Sequence, residues 1–194
     1  MTKADILVYL KEHQDSRGIA HWKKGKEKRS GLKSYGIGLT KLRKLAKQVG
    51  TDAKLAWQLW KSKIYEMRIL SLLIDDPKTL TMAQAEAQVD DLAGGYLAHV
   101  FSSCDATLAK TPFVVELADR WVKSKDVVRK QCGYGLLYEI SKNKKKTAPD
   151  ESIGKRTKTL TRPRSRSRHP DGRCDPFDVV KQLTGAYATK KLGL

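Results

Sequence analysis

Apolar residues recur every three to four positions from the N-terminus to about Lys146, which is the spacing of amphipathic helices, and strand alternation is almost absent. The first segment, TKADILVYLKEHQ, offers Thr2 as an N-cap and sets its isoleucine and leucines on one side. Another helix is expected to begin at a Thr40 cap and to end at Gly50, since glycine commonly follows the last helical turn. The pattern therefore predicts an all-α chain with brief turns.

Further helices are expected along the middle of the chain, each separated from the next by a short break. Residues 17–34, RGIAHWKKGKEKRSGLKS, have no apolar face and are interrupted by glycines, so we expect a loop there. Trp57, Trp60 and Trp121 are expected in the core. The predicted helices are DAKLAWQLWKS, YEMRILSLLIDDP, TMAQAEAQVDDLAGG, YLAHVFSSCDATLAK, TPFVVELADRWVKS and VVRKQCGYGLLYEISK.

Two stretches of the chain repeat each other. LWKSKIYEMRILSLL and RWVKSKDVVRKQCGYGLL each place an arginine eight residues after a tryptophan, which pairs Trp60 with Arg68 and Trp121 with Arg129. Such self-similarity indicates stacked two-helix units that cannot bury their apolar faces alone. The alternative is a chance likeness between two amphipathic helices.

The composition changes after Lys142. The segment KNKKKTAPDESIGKRTKTLTRPRSRSRHPDGRCDP has almost no apolar side chains with which to offset its ordering entropy. We therefore divide the chain into a helical domain, residues 1–146, and a basic tail rich in Pro, Ser and Arg, residues 147–194, which ends in a short helix. The RPRSRSR run suits nucleic-acid phosphates, or it is simply solvated.

The charge of the chain points to a polyanionic partner. There are 39 lysines and arginines against 21 aspartates and glutamates, for a net charge of +18. Nucleic acid is the first candidate for this partner, and an anionic membrane surface or an acidic protein comes second. No apolar run approaches the roughly 20 residues of a spanning helix, and the N-terminus lacks the apolar region of a signal peptide. We expect a cytoplasmic protein that makes no membrane contact.

The cysteines and histidines do not predict a cofactor. Cys104, Cys132 and Cys174 are odd in number and widely spread, so we expect reduced thiols rather than disulfides or a zinc site. The four histidines lack metal-ligand spacing, and no glycine-rich phosphate loop is present. The sequence predicts no cofactor and no metal.

The stretch VFSSCDATLAK sets a carboxylate and a thiol side by side behind an aromatic ring. Either Ser103 or Asp105 suits the N-cap of a helix. A nucleophilic Cys104 would need a base within hydrogen-bond reach. The nearby His99 lies five positions away, which a helix carries to a different face. We therefore expect Cys104 to be a small core residue.

Four segments in order resemble the DNA alkylation repair proteins: YGIGLTKLRKLAK, LWKSKIYEMRILSLLIDDP, VFSSCDATLA and ADRWVKSKDVVRKQCGYGLLYEISK. The resemblance runs from about Tyr35 to Lys145. It implies a right-handed solenoid of HEAT-like (ARM-type) antiparallel helix pairs. It also implies a DNA glycosylase that hydrolyses the N-glycosidic bond of cationic purines alkylated at N3 or N7, such as 3-methyladenine and 7-methylguanine.

The resemblance also implies a site. In the family a tryptophan and, four residues later, an aspartate flank the lesion, and these positions fall on Phe101 and Asp105. Residues four apart on one helix share a face, so a ring and a carboxylate would project toward one nucleotide. The Asp105 carboxylate would stabilise the positive charge that builds up on the sugar. The N-cap stays open as the alternative.

For DNA binding the resemblance implies Arg43, Arg129 and Lys130, and Lys23 and Lys24 are expected to belong to a mobile basic arm. The expected partner is alkylated duplex DNA, bound by a monomeric, nucleoid-associated protein with little sequence preference. For Arg129 the alternative is a salt bridge between repeats.

The chain departs from the family near Glu151 and Ser152, where a late helical repeat is missing. A solenoid that loses such a unit exposes the apolar face of the unit before it.

The sequence leaves two alternatives to a glycosylase. One is a non-catalytic HEAT-like scaffold for nucleic acid or an acidic protein, and the other is a damaged copy that folds poorly.

Overall fold

The computed structural model describes residues 1–24, 31–104 and 106–142, and in these ranges the predicted all-α class is confirmed. The one strand-like feature there is an isolated parallel bridge between Lys33 and Ile64. A 3-10 turn, Thr107–Lys110, follows α7. The helices are α1 Lys3–Glu12, α2 Ser16–Lys24, α3 Leu39–Val49, α4 Ala53–Trp60, α5 Tyr65–Ile74, α6 Met82–Asp90, α7 Gly95–Ser102, α8 Val114–Val122 and α9 Val127–Lys142.

The start of α1 confirms the predicted cap. The Asp5 backbone N–H donates to the Thr2 hydroxyl (3.3 Å), and the Thr2 N–H donates to the Asp5 carboxylate (2.7 Å). This reciprocal pair satisfies two of the backbone donors that the first turn leaves open. The helix then buries Ile6 and Leu10 completely.

Helix α3 ends as predicted and begins differently. Gly50 closes it with a positive φ of 78°, and its N–H donates to the Ala46 carbonyl. The predicted Thr40 cap is wrong, because the helix already begins at Leu39, after an extended Gly38 that provides no side-chain cap. Its start is set by the loop before it rather than by a hydroxyl.

The predicted loop at residues 17–34 is wrong in its first part, which forms α2. The Asp15 carboxylate accepts the N–H groups of Arg17 (2.9 Å) and Gly18 (3.2 Å) and so starts the helix. Gly18 lies so close to Gly36 that a Cβ atom on it would be 2.0 Å from the Gly36 carbonyl oxygen. The helix depends on a cap and a backbone contact, neither of which appears as an apolar stripe.

A buried carboxylate on α5 organises the loop that precedes α3. Glu66 has no exposed surface, and its Oε1 accepts the Ser34 hydroxyl at 2.6 Å. The same oxygen accepts the backbone N–H groups of Tyr35 (3.0 Å), Gly36 (2.8 Å) and Ile37 (3.3 Å). Because a buried polar oxygen is costly without hydrogen bonds, these four donors to Oε1 hold the loop and α5 in a fixed relation to each other.

The two tryptophans of the sequence repeat donate to acidic residues at or just after α6. The Trp60 indole N–H donates to the Asp91 carboxylate and the Trp121 indole N–H to Glu86, each at 3.1 Å. Both rings are buried, as predicted. Both tryptophans therefore bond to the same acidic segment, and the internal repeat stays a prediction.

The third predicted core tryptophan is not buried. Trp57 is 37% exposed on α4, and the Lys61 ammonium lies 4.6 Å from the centre of its ring. The expectation fails because position 57 lies just outside the buried face of α4, which is formed by Leu55, Ala56, Leu59 and Trp60.

Several sequence predictions lie outside the described residues. They concern the tail at residues 147–194, Cys174, the missing repeat near Glu151 and the basic residues between 25 and 30. Contacts group residues 1–136 into one compact unit. The boundary at 146/147 remains a prediction.

We predict that Glu66→Gln lowers the free energy of unfolding by about 2 kcal/mol, because it removes the charge that strengthens a set of buried hydrogen bonds. Urea denaturation at neutral pH measures this. The matched control is Glu116→Gln, whose exposed carboxylate pairs with Arg120 one turn away (3.1 Å) and which should change stability by about 0.5 kcal/mol or less. Equal losses in the two variants would contradict the role given to Glu66.

Candidate functional site

The acidic, thiol-bearing stretch around Cys104 forms a turn rather than a helix. Helix α7 ends at Ser102, and Ser103 closes it by donating its N–H to the His99 carbonyl (2.8 Å). Cys104 then has a positive φ of 60°, a conformation that non-glycine residues rarely adopt. Ser103 therefore ends a helix, and the prediction that it caps the start of one is wrong. Asp105 lies outside the described residues.

The turn is seated against α9. A Cβ atom on Gly135 would lie 2.2 Å from the Ser102 hydroxyl oxygen, so only glycine allows this approach. The Ser103 hydroxyl donates to the Gly135 carbonyl at 3.4 Å. The backbone of α9 therefore fixes the position of the C-terminal end of α7.

Phe101, predicted to lie beside the lesion, is part of the core in this structure. Its ring is fully buried, with ring-centre distances of 6.2 Å to Trp60 and 5.8 Å to Trp121. The expectation that it shares a helix face with Asp105 fails, because α7 ends after Ser102. In this structure the Phe101 ring joins the two repeat units through their tryptophans.

Cys104 and His99 are in contact, against the expectation from helical geometry. The Cys104 Sγ lies 3.2 Å from the His99 Nε2, and both residues are only partly buried. The left-handed turn at Cys104 folds the chain back over the end of α7, so a five-residue separation still brings the side chains together. Cys104 is thus not the core residue that the sequence predicts.

Cys132 provides the contrast. Cys132 and Cys104 are both free thiols in the described part of the chain. The Cys132 side chain is completely buried, and burial raises the pKa of its thiol to about 12. Cys132 is therefore the inert core thiol of the chain's described part.

Tyr96 belongs to the same group of side chains, although the motifs of the sequence did not single it out. The residue is 40% exposed, and its ring lies 5.8 Å from the His99 ring. Burial of the hydroxyl is the largest cause that raises the pKa of Tyr96; the Cys104 charge raises it further, and Arg43 acts in the opposite direction. The hydroxyl therefore stays neutral and able to donate at neutral pH. One feature of the sequence could have pointed to Tyr96: it lies three residues before His99, so the two side chains share a helix face.

Arg43 is the predicted DNA-binding residue that reaches this turn. It projects from α3, is partly buried, and its Nη2 donates to the Cys104 carbonyl oxygen at 3.2 Å. That carbonyl belongs to the peptide bond leading to Asp105. Arg43, Tyr96, His99 and Cys104, which we call the turn cluster, thus bring one cation, one exposed ring and an imidazole–thiol pair together.

Arg129 has acidic partners in the structure. Its guanidinium pairs with Glu86 and, at 2.6 Å, with Asp90, so the salt-bridge alternative holds for the described conformation. Lys130, next to it, is partly buried. Lys23 and Lys24 are exposed in the last turn of α2 and therefore do not belong to a loop. Whether any of these residues meets phosphate stays a prediction.

Two absences in the described part of the chain bear on the class of site. Within residues 1–24, 31–104 and 106–142, no group of three or more His, Cys, Asp or Glu side chains is arranged to hold a metal ion. Over the same part of the chain, no helix combines the length and apolar character needed to cross a bilayer.

Comparison with known proteins places the chain in a family. A model described as "DNA alkylation repair enzyme" matches residues 7–161. A comparison with curated proteins finds no match.

A solved structure is similar to the chain with a TM-score of 0.70 and 17% identity, which shows the HEAT-like repeat fold. It is described as "A new family of proteins related to the HEAT-like repeat DNA glycosylases with affinity for branched DNA structures". The match covers 82% of this chain and 66% of that one, so this chain spans just under two thirds of its length. The family model covers most of the chain, and the protein belongs to the DNA alkylation repair enzyme family.

Proposed function

We propose that the protein binds duplex DNA and releases cationic purines alkylated at N3 or N7 by hydrolysing the N-glycosidic bond. Family membership and the net charge of +18 support this. The observation that carries the proposal is the hydrogen bond from Arg43 to the Cys104 carbonyl, which places a cation at the turn leading into Asp105. A cation favours negative charge on a neighbouring carboxylate.

The chemistry that we assign to Asp105 is electrostatic. Cleavage of the glycosidic bond builds positive charge on the sugar, and a nearby carboxylate stabilises it more in the transition state than in the ground state. At about 4 Å and an effective dielectric constant of about 20 this contributes roughly 4 kcal/mol. That is about a thousandfold in rate. A base that already carries a positive charge leaves readily, so this contribution favours cationic lesions over normal bases.

We assign the aromatic contact with the lesion to Tyr96 in place of Phe101. Tyr96 presents a partly exposed ring beside the turn, whereas the Phe101 ring is enclosed by two tryptophans. A tyrosine face can stack on a cationic base. Phe101 then acts indirectly, by holding the end of α7 against the core.

The phosphate contacts that we propose come from Arg43, Lys23, Lys24 and Lys130. Lys23 and Lys24 are exposed at the end of α2, where they can meet a DNA backbone without rearrangement. Arg129 would contact DNA only by exchanging Glu86 and Asp90 for phosphate. Such contacts carry little sequence preference.

A second candidate is a DNA-binding protein without base release. The description of the similar solved structure, which mentions affinity for branched DNA, favours it. The burial of Phe101 favours it too, since the family's lesion-facing aromatic position is then withdrawn into the core.

We predict that the protein releases 7-methylguanine from methylated duplex DNA and that Asp105→Asn lowers the single-turnover rate about a thousandfold. Release is measured by chromatography of the free base. Asp119→Asn, at a carboxylate that pairs with Lys123 on α8, is the control and should keep the wild-type rate. Equal rates for the wild type and Asp105→Asn would remove Asp105 from the mechanism. Absence of release by a folded protein that still binds DNA would favour the second candidate.

We predict that replacing Lys23 and Lys24 by glutamine flattens the salt dependence of duplex binding. Each lost phosphate contact should reduce the slope of log K against log salt by about 0.9. Fluorescence anisotropy with a labelled duplex at several salt concentrations measures the slope. Lys123→Gln, whose ammonium pairs with Asp119, should leave it unchanged. An unchanged slope in the double variant would place DNA elsewhere.

A further inference from the structure

The outer face of α4 carries a tryptophan between lysines. Lys54, Trp57 and Lys61 lie at i, i+3 and i+7, so they form one stripe along the helix, and all three are exposed. Residues 53–64 contain three lysines, Lys54, Lys61 and Lys63, and no acidic residue. We call Lys54, Trp57 and Lys61 the α4 stripe.

The packing of α4 against the core buries Trp57 only in part. The core side of the helix is formed by Leu55, Ala56, Leu59 and Trp60, all of them buried. Trp57 instead keeps 37% of its surface exposed, and its described contact is the Lys61 ammonium at 4.6 Å from the ring centre. A large ring between cations suits a partner that is both planar and anionic.

The basic character continues beyond the helix. Lys63 is exposed in the turn after α4, and its carbonyl accepts the backbone N–H of Lys33 at 2.8 Å, which brings a further exposed lysine to the same edge. Lys54 and Lys61 are about 10 Å apart along the axis, given a rise of about 1.5 Å per residue. One strand of nucleic acid can therefore pass both lysines and present a base to the ring between them.

We propose that the α4 stripe binds an unpaired nucleobase of single-stranded DNA, with Trp57 stacking on the base and Lys54 and Lys61 contacting the flanking phosphates. This rests on the proposed function in one respect only, namely that DNA is the polyanion. The base must be unpaired, because a paired base offers its faces only to its neighbours in the stack. Stretches of this kind occur at gaps, forks and branch points.

Magnitudes favour the base over the lysine as the partner of the ring. An exposed cation–π contact contributes about a two- to fivefold factor. Stacking of a base on an aromatic side chain contributes about a five- to 150-fold factor in affinity. The base therefore displaces the Lys61 ammonium, which then turns to a phosphate.

The test compares the affinities of the full protein and its variants for three probes of equal length: a mixed-sequence single strand, the same strand with abasic sites throughout, and a duplex. Trp57→Ala should weaken binding of the base-bearing strand by about ten- to a hundredfold and leave the other two affinities unchanged. Trp57→Phe keeps a ring and should retain most of the affinity. Quenching of tryptophan fluorescence by the base-bearing strand should be reduced in the phenylalanine variant.

Three results would overturn the proposal. One is equal affinity of wild type and Trp57→Ala for the base-bearing strand, which includes absence of binding by both. Another is an equal loss on the abasic strand, which assigns the effect to phosphate contacts or to folding. The third is competition by polyglutamate that depends on Trp57, which identifies an acidic protein as the occupant. If the wild-type protein binds the single strand and does not bind the duplex, the proposed function is overturned and this inference still stands.

Discussion

The buried carboxylate of Glu66 is the interaction on which the arrangement of this protein's candidate site depends. Four donors from residues 34–37 converge on one of its oxygens and fix the loop that leads into α3. Helix α3 begins two residues after this loop, and its first turns direct Arg43 to the Cys104 carbonyl. A single acidic residue on α5 thus determines, through a loop and a helix, where a cation meets the turn before Asp105. These donors replace the water that burial removes from this oxygen.

A second set of polar contacts links both repeat units to acidic residues on α6 and to Asp91, which directly follows this helix. Asp91 accepts from Trp60, while Glu86 and Asp90 engage Trp121 and Arg129. The Phe101 ring lies between the same two tryptophans. This explains why a strongly basic chain keeps a cluster of acidic residues: they position aromatic side chains and hold an arginine. The aromatic residue predicted at the lesion is therefore part of the junction between the units, and Tyr96 is the exposed ring at the turn.

The sequence predicts what is local and misses what depends on distant contacts. Thr2 and Gly50 act as predicted, because a cap and a helix stop need only neighbouring residues. Helix α2 was missed because Asp15 and the close approach of Gly18 to Gly36 form it without an apolar stripe. The contact between Cys104 and His99 was excluded on helical geometry. Helix α7 nevertheless ends at Ser102, where Gly135 of α9 lies against it, and the two side chains meet. Family resemblance located the stretch around Asp105, but it could not show that Phe101 is buried or that Arg43 reaches the turn.

We propose that Asp105, which follows the turn at Cys104 in the chain, stabilises positive charge on a deoxyribose. The most direct measurement is the affinity of the protein for two duplexes that differ in one sugar: a cationic ring-nitrogen analogue of the transition state and a neutral abasic analogue. We expect at least about hundredfold tighter binding of the cationic analogue, with most of the preference lost in Asp105→Asn. Equal affinity of the wild-type protein for the two duplexes would contradict it and leave a DNA-binding protein without this chemistry.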